Sequence, residues 1–234
     1  MGRRLKLRNG QIFCDAFYEN REKVVREQIG KHLDGIKKNI SQLYSLCLSR
    51  LMNAQPQKEL TLDEFLSLES GQRQGILSAV LYNDALWRLE AAYLMLCIGM
   101  LNVAYSNLRS CLEILVDAHI IENLDSEAIK FLKGEEIEPT KISSFILEEY
   151  NTNIAQMKKT LGNWGVHSSL SSVQLGIFCG PNTFDKLVAQ TNTKRIQTVH
   201  QSFADAAKTC IQAINDVWLI FFYLISKGTK YRRV

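Results

Sequence analysis

The sequence predicts an all-α protein: a helical bundle of about five to seven helices, with one long N-terminal helix and one long C-terminal helix. Three observations carry this. Only three prolines occur in 234 residues, well under the usual frequency of about 5%. Proline lacks the backbone donor and clashes with the preceding turn, so its scarcity favours long helices. Pro56, Pro139 and Pro181 also fall among other breakers: Asn53-Ala54-Gln55-Pro56, the stretch from Gly134 to Pro139, and Gly180-Pro181-Asn182. Between these joints apolar residues recur at spacings of three and four, the period of a helix face.

Each element follows from its own signals. Ile29, Leu33, Ile36, Ile40, Leu43, Cys47 and Leu51 form a nearly heptad stripe, which predicts one long amphipathic helix reaching back to about Asp15. So narrow a seam is expected to pair with one neighbouring helix, within the chain or in a partner. Thr61-Leu62-Asp63-Glu64 is a capping box; it opens a short helix to about Leu68, which Gly71 is expected to stop. A longer helical run follows from about Gln74 to Glu122, with Asn83 and Gly99 as candidate breaks. Its middle is apolar on nearly all sides, as suits a helix surrounded by others. Ser126 to Lys133 reads as a short helix ended by Gly134. Thr140 caps a helix carrying Ile142, Phe145, Ile146, Tyr150, Ile154, Met157 and Leu161, which Gly162 to Gly165 end or kink. Val173 to Cys179 reads as a short strand or as a loop. The last helix starts near Asn192 and runs to Ser226, with Ile196, Val199, Phe203, Ala206, Cys210, Ile214, Val217 and Phe221 on one face. Residues 1–56 are thus a basic tail and a long helix, and 57–234 are the main bundle, sharing a single core.

The chain is 46% apolar, 22% charged and 9% aromatic, which excludes wholesale disorder, collagen-like repeats and a multi-span membrane protein. The net charge of +4 hides an asymmetry. Arg3, Arg4, Lys6 and Arg8 precede the bundle, and Lys227, Lys230, Arg232 and Arg233 follow it, with no acid in either tail. Of 28 basic residues, removing these eight leaves 20 against 24 acidic ones, so the body is mildly acidic. The tail cations Arg3, Arg4, Lys6, Arg8, Lys230, Arg232 and Arg233 are the candidates for binding nucleic acid or anionic lipid; the plainer reading is a pair of solubilising ends.

The six cysteines, at 14, 47, 97, 111, 179 and 210, have no zinc-ribbon spacing. They read as buried thiols of a reduced, cytoplasmic protein. Met1-Gly2-Arg3-Arg4 is not followed by the apolar core of a secretory signal. Ala91 to Leu108 is 18 uncharged residues, but Gly99, Asn102, Ser106 and Asn107 make it a core helix rather than a bilayer span. Val217 to Ile225 is more apolar but too short to cross, so no integral span is expected.

Histidine is scarce: His32, His119, His167 and His200. His32 reads as a surface residue. His119 and Glu122 share a helix face, yet the Glu-x-x-His order of di-iron bundles is absent because Val116 stands three before His119. No metal and no cofactor is expected. Arg109 and Glu113 lie four apart in the most apolar helix, where a charge must be partnered. They either satisfy each other as an intrahelical ion pair or line an inner polar pocket with Asp117. Arg195 and His200 form an Arg-x4-His, the residue types of metal-independent RNA cleavage: imidazole for proton transfer, guanidinium for the phosphate. Gly162-Asn163-Trp164-Gly165-Val166-His167-Ser168-Ser169 gathers an aromatic, a histidine and hydroxyls at a helix boundary. No Gly-x-Ser-x-Gly, P-loop, Gly-x-Gly-x-x-Gly or His-Glu-x-x-His occurs, which disfavours common hydrolases and nucleotide enzymes.

With Arg109 and Glu113 in a central helix and a later Val166-His167-Ser168, the chain resembles the HEPN superfamily, helical bundles of prokaryotic toxins, defence systems and RNA-processing enzymes. The resemblance covers about residues 85–225. Active members carry an arginine four to six residues before the histidine; residues 161–163, ahead of His167, hold none. Arg195 before His200 keeps that spacing, with Ile196 where a polar residue is usual. The resemblance implies a homodimer or a helical protein partner, and RNA or a protein as the bound species. It implies catalysis through His167 or His200 with Arg195 if the protein is a metal-independent RNase. A purely structural subunit of a larger assembly is the remaining expectation.

Overall fold

The computed structural model describes residues 10–54, 56, 59–137, 154–165 and 193–227, with side chains described chiefly in 25–54, 59–137, 157–162 and 205–226. Among the described residues there are seven helices and no strand: α1 (Gly10–Ala54), α2 (Leu62–Leu66), α3 (Ser70–Cys97), α4 (Leu101–Asn123), α5 (Asp125–Leu132), α6 (Ile154–Gly165) and α7 (Thr193–Lys227). The fold is the all-α bundle that the sequence predicts. The expected start of a helix at Thr140 and the stretch 173–179 lie outside the described residues.

Local chemistry sets the helix ends. In α2 the Thr61 hydroxyl accepts from the Glu64 amide at 3.3 Å while the Thr61 amide donates to Glu64 Oε2 at 2.8 Å, the reciprocal box that the sequence announces. Gly71 does not stop this helix. Ser67 does, its hydroxyl donating to the Glu64 carbonyl at 2.7 Å and its amide to Asp63. Gly71 instead sits in the first turn of α3, with open space where a side chain would be. Of the two candidate breaks in the long run, the chain uses Gly99 and passes Asn83 unbroken. Gly99 takes φ 75°, and the Met100 amide reaches back to the Met95 carbonyl at 2.8 Å while Gly99 reaches Leu96 at 2.9 Å. This is a Schellman ending, which needs the left-handed residue that glycine supplies at least cost. Gly134, φ 77°, ends α5 in the same way.

α1 packs on α3 and α7, α4 on α3, α7 and α6, and α5 on α3 and α4. The Cys47 thiol donates to the Tyr82 carbonyl at 3.7 Å, and Asp34 lies close enough to Tyr93 to act on it electrostatically, so α1 and α3 run antiparallel. The α1 stripe therefore meets two helices rather than one. On its other flank the Asn39 carbonyl accepts the Trp218 indole N–H at 2.9 Å. Ile29, Leu33, Ile36, Ile40, Leu43 and Cys47 are buried, in one continuous cluster with Leu89, Leu108, Leu112 and Phe221. Each such aliphatic side chain contributes about 2 kcal/mol by leaving water. Cys47 and Cys111 are buried free thiols, and burial pushes the Cys47 thiol up to about 12, against a smaller downward pull from Arg50.

Two polar ties cross this apolar interior. Tyr82, fully buried in α3, donates its hydroxyl to Glu122 Oε2 at 3.1 Å and stacks on Phe221 of α7 at 6.0 Å. Arg50 of α1 lies over the Tyr82 ring, 4.8 Å from its centroid, and pairs with Glu122 Oε1 at 3.0 Å. Further along, Arg73 at the start of α3 forks onto Asp125 with bonds of 2.7–3.0 Å and donates to the Leu66 and Leu68 carbonyls at 2.6 and 2.8 Å. It fastens α2, α3 and α5 together.

Candidate functional site

The face of α4 toward α6 carries the most concentrated charge chemistry among the described residues. One turn of helix separates Arg109 from Glu113, and the Arg109 Nε donates to Glu113 Oε1 at 3.1 Å. Lys158 of α6 reaches the same oxygen at 3.1 Å. Glu113 is thus shared between two cations rather than satisfied within its own helix. Burial acts to raise its carboxyl, but the hydrogen bonds from Arg109 and Lys158 outweigh it and hold the group below the usual range. Asp117, one turn on, is pushed up to about 6 by burial and by the Glu113 charge, with Lys158 pulling the other way.

The ion pair read from the sequence is present, extended by Lys158 of α6. Arg109 and Glu113 form the ion pair, and Asp117 joins them along one half-buried helix face with Lys158 opposite. Lys158 was not legible as a partner because nothing local ties it to a residue 45 positions earlier. The signal lay in its phase: Met157 and Leu161 form the apolar edge that α6 turns toward the core, and Lys158 borders that edge. The arrangement can take up or release a proton through Asp117, whose carboxyl is pushed up to about 6, and it gathers two cations on one carboxylate oxygen.

The shifted Asp117 makes a prediction with a definite sign. The unfolded chain releases this proton near 3.8 and the folded protein near 6, so the folded state gains from the protonated form. That gain is complete below about pH 4 and is lost as pH rises through 6. Asp117→Asn is therefore expected to be more stable than the parent at pH 8, by about 1 kcal/mol once solvent screening of a partly open group is allowed for. The advantage should vanish at pH 4; urea titrations at both values check it.

The other expected site residues are dispersed. His32 is exposed on α1. His119 is buried, and Glu122 beside it is taken by Arg50 and Tyr82. No three His, Cys, Asp or Glu side chains come together to hold a metal among the described residues. Arg195 and His200 both lie in α7, where a separation of five sets their positions about 140° apart around the helix axis. His167, Arg3, Arg4, Lys6, Arg8, Lys230, Arg232 and Arg233 lie outside the described residues.

A second surface escaped the sequence reading. Tyr44 of α1 meets Trp87 of α3 edge to face, 6.2 Å between centroids, and both are exposed. Around them stand Leu48 and Met52, and, seven residues to either side of Trp87, Val80 and Leu94, all at least half exposed. Asp84 and Arg88 border Trp87 as a loose pair at 3.9 Å. Several large apolar side chains exposed along two adjoining helices mark a candidate interaction surface. Set against protein-family models, curated proteins and solved structures, the chain matches none.

Proposed function

We propose that this is a HEPN-like helical protein that acts by dimerising and binding RNA or a protein partner, in a prokaryotic defence or regulatory setting. The observation that supports it best is the exposed α1–α3 face. Val80, Trp87 and Leu94 are symmetric about the tryptophan, so a two-fold pairing of α3 with its copy sets Trp87 on Trp87 and Val80 on Leu94. The same axis brings Asp84 and Arg88 of one copy near those of the other, which gives the surface a charge pattern that complements itself. The Arg109–Glu113–Lys158 cluster is the place for the bound species, since its two cations suit a phosphate or an acidic side chain.

The test is the mass in solution by light scattering, beside Trp87→Ser, whose exposed position leaves the core intact. A dimer that becomes a monomer in the variant supports the reading; a parent that is monomeric at tens of micromolar overturns it. Labelled single-stranded RNA in EDTA, with His167→Ala and His200→Ala, then separates binding from cleavage. Cleavage lost in one variant makes the protein a metal-independent RNase and names its histidine. Binding that falls steeply with salt identifies RNA as the partner through counterion release.

A further inference from the structure

α6 depends on a neighbour for its helical form. It is 12 residues long and carries Gly162 and Gly165, and a helix that short, weakened by glycine, is marginal in water without a surface to lie on. Among the described helices, α4 is the one against which α6 packs extensively. Leu161 and Gly162 are buried, Met157 and Lys158 are half-buried, and Lys159 and Thr160 are exposed. The polar part of the seam is the line Arg109, Glu113 and Asp117 on α4, with Lys158 of α6 lying 3.1 Å from Glu113 Oε1.

Within that line Lys158 is engaged with Glu113, and Asp117 is left the harder group to ionise. Burial and the Glu113 charge oppose its ionisation more than Lys158 favours it, and its carboxyl is pushed up to about 6. The other elements packed on α4 bring their charges elsewhere. α3 reaches α4 at Glu122 and α7 comes beside Tyr105, positions about 140° and 120° around the helix axis from Asp117. The α5 carboxylates of Asp125 and Glu127 are paired with Arg73 and Lys130. Lys158 is near enough to act on the Asp117 charge, so α6 lies over this half-buried carboxyl, and lifting α6 away returns it to water.

We infer that α6 is a proton-linked clasp, seated on α4 while Asp117 holds its proton and released more often once Asp117 gives it up. The linkage is reciprocal: if docking favours the protonated carboxyl, protonation must favour docking to the same extent. Glu113, held below the usual range by its hydrogen bonds to Arg109 and Lys158, stays ionised throughout. Asp117 is therefore the group of this seam whose charge changes as the pH rises from weakly acidic to weakly basic. Release uncovers the seat of Leu161 on the shared core and frees Lys158 from Glu113. The device needs neither a dimer nor a bound RNA, so it stands independently of the function proposed above.

The test is amide hydrogen exchange of the full chain, read for peptides within Ile154–Gly165 and within α3 from Tyr82 to Leu96, with the intrinsic chemical rates divided out. α6 is expected to be less protected than this part of α3 at every pH, because it opens without the rest of the bundle. Its protection is expected to fall by up to about tenfold between about pH 5 and pH 8. In Asp117→Asn, which carries no proton to lose, the protection of α6 is expected to stay level over that range and to exceed the parent's at the upper end. Circular dichroism confirms that the variant is folded. Protection of α6 equal to that of α3, a parent whose α6 does not respond to pH, or an Asp117→Asn variant that keeps the response would overturn the inference.

Discussion

Tyr82→Ala is expected to lower the stability of the bundle by about 4 kcal/mol, the largest effect of any single change described here. The side chain is wholly buried and joins four helices: its backbone carbonyl takes the Cys47 thiol of α1, its ring lies under Arg50 and against Phe221 of α7, and its hydroxyl holds Glu122 of α4. Alanine leaves a cavity the size of the ring and removes one of the two groups that satisfy Glu122. Tyr82→Phe keeps the ring and drops only the hydroxyl, so it is expected to cost about 1 kcal/mol. A urea midpoint that falls strongly for alanine and slightly for phenylalanine, at unchanged slope, is the result that fits. Equal losses in the two variants would mean that the hydroxyl, not the packing, dominates.

Arg73→Ala is expected to cost about 3 kcal/mol. The guanidinium is nearly buried and makes five hydrogen bonds, three to Asp125 and two to backbone carbonyls. Removing one partner of a buried pair leaves the other charge unmatched, at a cost of about 3–5 kcal/mol. The lower end applies because Asp125 keeps 31% of its side chain open to water. Arg73→Lys keeps the charge but not the planar fork, so it is expected to recover less than half of the loss. Denaturation in urea separates the three proteins; lysine equal to arginine would show that charge alone holds the joint.

The fold was largely legible because its signals are local. The stripe from Ile29 to Cys47 is buried as its spacing requires, and Thr61 and Glu64 cap α2 as their separation of three requires. Gly71 misled because a glycine with no demand for positive φ carries no stop signal of its own. Ser67 ended the helix with a hydroxyl that reads as an ordinary turn residue. Asn83 and Gly99 were equal candidates in the sequence, and only the left-handed turn before Leu101 separates them. Partners distant along the chain were not legible. Arg73 and Asp125 are 52 residues apart, and Glu113 meets Lys158 only because α6 lies along α4. Nor does periodicity reveal which of two helical faces stays uncovered, as Trp87 and Leu219 do.

The bond between the Trp218 indole and the Asn39 carbonyl spans 179 residues. During synthesis α1 leaves the ribosome long before the helix that completes its seam. At about 5–20 residues per second, the wait is roughly 10–35 seconds. Over that interval α3 can cover one flank of Ile29 to Cys47 while the flank meant for α7 stays open. The bond from Trp218 to Asn39 can form only once the last helix has docked on α1, so it is among the latest contacts the chain is able to make.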